Sequence, residues 1–418
     1  MKKLLYLSLL VPAISFAQQN KFAQLGEELP TPNEYRNAAG APGHNYYQQK
    51  ADYKIDVSIN DQTQRLSGVE TITYTNNSPD QLEYLWIQLD QNVRAKDSDS
   101  KLIEVERMED FRSIADVNKT FFYYDGGFKI RSVKDTKGNS LPFTINKTMM
   151  RIELPTPLKP GQRFAFKVDW NYKITDRMTI GGRGGFEYFP EDGNHLFTMA
   201  QWYPRLCVYS DFRGWQNQQF TGRGEFALTF GNFKVQITVP ADHVILSTGE
   251  CQNYLMVLSA AQLARWKQAQ VAKEPIEVVT LDEAKAAEKQ KSTQKKTWIY
   301  KADNVRDFAW TSSRKFVWDA MPAIVEGKKV MCMSGYPKEA YGLYRPYSTK
   351  AVAHTIKTYS NFTIPYPYPV AQSIEASNGM EYPMICFNGP RPEQDGTYPE
   401  RTKHALIGVI IHEVGHNY

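Results

Sequence analysis

The chain has 418 residues, of which 42% are hydrophobic, 23% charged and 13% aromatic, with 50 Lys and Arg against 45 Asp and Glu. This ordinary balance and the net charge of +5 exclude a long disordered chain and a protein built on a basic nucleic-acid-binding tract. The length asks for two to three domains, and 25 Tyr residues favour strand-rich surfaces.

Residues 1–17 read as a signal peptide: Lys2 and Lys3 form a positive start, Leu4 to Phe16 an apolar run too short to span a bilayer, and Ser15 and Ala17 a small-residue cleavage site. An exported protein is expected, periplasmic or secreted, with no transmembrane segment after cleavage. Residues 18–46, rich in Pro, Asn, Gln and Ala, read as a loosely ordered arm. Strand signals then begin. Tyr53, Ile55, Val57 and Ile59 alternate with polar residues, and Val69 to Thr75, Leu85 to Leu89, Phe164 to Val168, Phe226 to Phe230 and Val235 to Val239 repeat the pattern. Turn signals such as Asn76–Asp80 separate them, so an antiparallel β-sandwich or saddle-shaped sheet is expected over about 47–313. Within it, 259–296 is rich in Ala, Lys, Glu and Gln and reads as a solvated helical insertion or linker. Lys338 to Tyr359 and Pro399 to Tyr418 carry helical spacing, and Ile374 to Phe387 reads as strands around a turn. Cys207, Cys251, Cys332 and Cys386 have no paired spacing, which excludes a zinc ribbon and leaves disulfides and buried thiols both open. Asn76, Asn118, Asn146 and Asn361 lie in glycosylation sequons.

The segment with the most chemistry is Val409–Tyr418, VIIHEVGHNY. His412 and His416 sit four apart, which on a helix stacks both imidazoles on one face and lets them reach one metal ion. Zinc suits such ligands, one ion per chain, and Glu413 beside the first ligand is placed to take a proton from a zinc-activated water.

A second motif, Asn378-Gly379-Met380-Glu381-Tyr382-Pro383, precedes that helix by about thirty residues. With the zinc motif it resembles the aminopeptidase N family of gluzincins. The resemblance runs from about Ala51 to Tyr418, with Gln201-Trp202-Tyr203-Pro204 followed by Asp211, and Val305 to Trp310, as further matching stretches. It implies an N-terminal β domain followed by the first part of a thermolysin-like zinc peptidase domain at 314–418. Glu381 would bind the free α-amine of a peptide substrate, and Gly379 and Met380 would line the cleft. Asn378 and Tyr382 depart from the commonest form of the motif, which leaves residue preference undefined. The family's third zinc ligand, a Glu on the next helix, and its transition-state Tyr would fall past Tyr418. The expectation is therefore a zinc-dependent aminopeptidase represented by its N-terminal portion, poorly active as this chain alone. Two alternatives stay open: another zincin, such as an endopeptidase, and a non-catalytic β-sandwich binding protein with a vestigial peptidase domain.

Overall fold

The computed structural model describes residues 32–103, 113–114, 124–376 and 378–418. The expected signal peptide, the first part of the arm and the Asn118 sequon lie outside them. The chain divides into two units, Met1–Tyr47 and Gln48–Tyr418. The described part of the first is a set of tight turns, in which the Asn33 and Asn37 side-chain oxygens accept backbone N–H groups two to four residues on.

In the second unit, alternation becomes sheet. Ala51, Tyr53, Ile55, Val57 and Ile59 of the Lys50–Asn60 strand are buried, while Lys54 and Asp56 face out. That strand belongs to a seven-stranded sheet in the order Glu250–Cys251, Lys295–Val305, Gly231–Pro240, Lys50–Asn60, Arg65–Thr75, Arg163–Lys173, Lys129–Asp135. The sheet is antiparallel except where Lys50–Asn60 runs parallel to Gly231–Pro240. On Arg65–Thr75 the inward set is Leu66, Gly68, Glu70, Ile72 and Tyr74, and Val69 is 40% exposed. A Cβ on Gly68 would meet the Trp170 ring at 2.5 Å, so the missing side chain makes room for the indole. Two four-stranded sheets adjoin the same core, which includes Trp170, Trp202, Trp298 and Trp310.

Trp202, Tyr203 and Arg205 all lie inside this core. Trp202 Nε1 donates to the Phe308 carbonyl at 2.7 Å, the Tyr203 hydroxyl to Asp307 at 2.9 Å, and Arg205 bridges Asp307 and Asp90 at 2.7 Å each. The two stretches matched by resemblance thus pack on one another as a buried, satisfied polar node.

Two expectations need correction. Phe226–Phe230 is not a strand; it is irregular, and the ladder starts at Gly231. Its alternation comes from a surface loop in which Phe226 rests edge-on against Phe220. The insertion 259–296 is helical as expected, but it is not a linker. It holds two helices, Ala260–Ala269 and Leu281–Gln290, each with a complete capping box, and a strand between them, Ile276–Val279. That strand is the edge of a six-stranded mixed sheet in the order Ile276–Val279, Val317–Val325, Lys328–Tyr336, Val370–Glu375, Ile385–Asn388, Gly379–Tyr382. Its short apolar run was hidden between polar helices, and one of their acids, Glu288, is spent in buried ion pairs with Lys315 and Lys338.

The six-stranded sheet positions the site. The parallel strands Lys328–Tyr336 and Val370–Glu375 are joined by the helix Tyr341–Phe362, as a parallel connection requires. Leu343, Tyr344, Val352 and Ile356 of that helix share a second core with Leu406, Ile410 and Val414 of the helix Glu400–Gly415. All four cysteines are free thiols, three of them buried. No helix among the described residues is long and apolar enough to cross a membrane.

Candidate active site

The helix Glu400–Gly415 begins directly after Pro399, whose fixed φ suits a helix entrance, and carries Glu400 in its first turn, where an acid favours the dipole. Leu406, Ile410, Glu413 and Val414 form its buried stripe, and His412 and His416 are exposed beside it. Gly415 has a packing reason: a Cβ there would come within 2.5 Å of the Tyr359 ring. Beyond His416, the Tyr418 hydroxyl donates to the Ile356 carbonyl at 2.8 Å and holds the helix end against its neighbour.

The His412 and His416 Nε2 atoms face each other at 3.2 Å, with the rings at 84°. Two imidazole nitrogens on one tetrahedral zinc, at ~2.0–2.1 Å from it, stand roughly 3.3 Å apart. The donor set and its spacing therefore fit zinc. With Glu413, the two residues form a group whose ligand atoms lie within 4.8 Å of one another.

Glu413 is only 6% exposed. Its carboxyl is pushed up to about 7, first by burial and then by the charge and hydrogen bond of Glu381. The two carboxyl groups line the same cleft. Glu381 comes from the edge strand Gly379–Tyr382, which pairs antiparallel with Ile385–Asn388. Gly379 stands where the strand approaches the helix, since a Cβ would meet Glu413 Oε1 at 2.9 Å and Val409 Cγ2 at 3.4 Å. Met380 is buried.

All six residues singled out in the sequence line one cavity of about 300 Å³. Arg183 and Glu225, which sequence reasoning missed, complete its wall and pair with each other at 3.0 Å. Asn378 ties this wall to the motif strand through its Nδ2, which donates to the Arg183 carbonyl at 3.2 Å. Arg183 opposes the rise of the Glu413 carboxyl and Glu225 adds to it, so both act electrostatically on the site. The one sequence signal for Arg183 is its setting in the glycine run Gly181–Gly185; Glu225 has none.

Solved structures share this architecture. An M1 zinc metallopeptidase from Deinococcus radiodurans superposes with a TM-score of 0.50 at 14% identity, over 90% of this chain and 65% of that one. A glutamate-to-alanine mutant of an M1 zinc metallopeptidase from the same organism gives 0.51 at 13%, and such a mutant bound to a Tyr-Ser-Ala substrate gives 0.50 at 13%, each covering 90% of this chain and 66% of the other. The fold is that of the M1 zinc metallopeptidases. Its sheets, with few helices, match the β-rich domain of those proteins, and the chain spans about two thirds of their length. No protein-family model and no curated protein matches the sequence.

Proposed function

We propose that this chain carries the metal-binding helix and amine-binding strand of a zinc-dependent aminopeptidase, within a thermolysin-like catalytic domain, which removes N-terminal residues from peptides outside the cytoplasm. The observation that carries the reading is the pair of Nε2 atoms at 3.2 Å on the wall of a cavity that also holds Glu381 and Glu413. The shared fold and the peptide-bound relative support it.

His412 and His416 would hold the ion. When bound, zinc supplies Lewis-acid polarisation of the scissile carbonyl and lowers the pKa of a water. Glu413, which lines the same cavity, would accept a water's proton at its carboxylate and pass it to the leaving amine. Glu381 receives the substrate's ammonium, a charge-assisted contact that registers the first peptide bond, and no later one, over the imidazole pair. Gly379 lets the strand backbone come close enough for that geometry.

A matched pair of peptides, one with a free and one with an acetylated N-terminus, tests this. Cleavage of the free peptide alone is expected. Equal cleavage of both would favour the endopeptidase alternative and leave Glu381 as an ordinary strand residue.

A further inference from the structure

The strand that carries Glu381 ends in a tight turn. Tyr382 pairs with Ile385, so Pro383 and Met384 alone close the hairpin. Met384 has φ +67°, a left-handed conformation, with Pro383 before it. Proline followed by positive φ is the pattern of a type II turn, whose second central residue is ordinarily Gly or Asn. A bulky residue held there is a strained outlier that persists only where its surroundings over-determine it.

Three side chains over-determine it. Thr248 Oγ1 donates to the Pro383 carbonyl at 2.8 Å, and Gln372 Nε2 donates to the Met384 carbonyl at 3.2 Å. The third is Asn417. Its Oδ1 accepts the Met384 N–H at 2.7 Å and its Nδ2 donates to the Tyr382 carbonyl at 3.3 Å. Asn417 directly follows His416, and Tyr382 directly follows Glu381. One amide thus joins the end of the imidazole helix to the end of the carboxylate strand, using the full donor and acceptor capacity that only Asn or Gln offers.

We infer that Asn417 is a positioning residue that fixes the spacing between Glu381 and the imidazole pair by holding the Met384 turn in its strained form. The inference rests on the aminopeptidase reading for its consequence, because that spacing is what would select a free N-terminus. Thr248 and Gln372 hold the turn from the core side; among the described residues, Asn417 is the side chain whose hydrogen bonds tie it to the end of the site helix.

The test compares the zinc-loaded wild type with Asn417→Ala, Asn417→Asp and Asn417→Ala/Met384→Gly. Three quantities are read: zinc per chain, hydrogen exchange at the residue 384 amide, and the kcat/KM ratio for the free over the acetylated peptide. Asn417→Ala should keep its zinc, lose protection at Met384 at least about tenfold, and lower the free-over-acetylated ratio about tenfold, mainly through KM of the free peptide. Asn417→Asp keeps the acceptor for Met384, so it should retain exchange protection and lose less of the ratio; it also serves if the Ala variant does not fold. Gly at 384 adopts the turn without strain, so the double variant should regain the ratio. Unchanged Met384 protection in Asn417→Ala overturns the inference, as does an unchanged ratio in a protein whose wild type discriminates. A wild type that cleaves both peptides equally defeats the aminopeptidase reading, and the exchange measurement then still decides whether Asn417 holds the turn.

Discussion

Among the described residues, two places gather ligand-type side chains within 4.8 Å of one another: Asp192, Glu288 and Glu339 in one, His412, Glu413 and His416 in the other. By donor count alone either could hold a metal. The first already contains its cations. Lys315, fully buried, pairs with all three carboxylates, at 2.8 Å to Glu288 and 3.0 Å to Glu339, and Lys338 adds contacts of 2.8 Å to Asp192 and 2.5 Å to Glu288. Those contacts join the insertion helix Leu281–Gln290 to the turn at Lys315 and the short 3-10 helix Lys338–Ala340. The second cluster opens on a cavity, and its nearest guanidinium, Arg183, is paired with Glu225. The difference separates structure from chemistry: one cluster is neutralised from within, and the other presents two imidazoles whose Nε2 atoms stand 3.2 Å apart, the spacing of two ligands on one zinc.

The comparison can be broken at three points. The largest effect is expected at Glu413. Glu413→Gln should retain zinc and lose roughly two to four orders of magnitude in turnover, because an amide cannot take the water's proton. Near-wild-type turnover with zinc bound would assign the general base elsewhere. Next is Lys315. Lys315→Ala leaves buried carboxylates short of a cation and should cost about 3–5 kcal/mol of stability, read by denaturant or thermal unfolding. Added zinc should not restore it; recovery of the melting temperature in zinc would show that the acidic cluster is a metal site after all. The smallest of the three is at Glu381. Loss of a charge-assisted contact is worth about 1.5–3 kcal/mol, so Glu381→Ala should narrow the free-over-acetylated ratio by roughly tenfold to a hundredfold. A ratio left intact would remove Glu381 from amine binding.

How legible this was follows from which signals are local. The imidazole pair needed only the helical period, and the Lys50–Asn60 strand only the period of two. Pairing phase was harder. The alternating run opens on Val69, which is exposed, while the buried position next to it is Glu70, whose two carboxylate oxygens have no hydrogen-bond partner among the described residues. Burial lifts its pKa well above the usual range and favours the neutral acid. Glu381 was reached by resemblance, because nothing local tells a strand carboxylate that it will meet a helix about thirty residues on. The Gly379 approach and the crossover helix do that, and both are properties of the fold. Arg183, Glu225 and Asn417 were missed for the same reason: each acts through a partner far away in sequence or through a backbone group that carries no side-chain signature.

The central claim is that His412 and His416 together bind zinc. Metal analysis of the purified wild type, His412→Ala and His416→Ala tests it most directly. One zinc per chain in the wild type, lost from both variants, is the predicted result. Stoichiometric zinc retained in both variants would contradict the account.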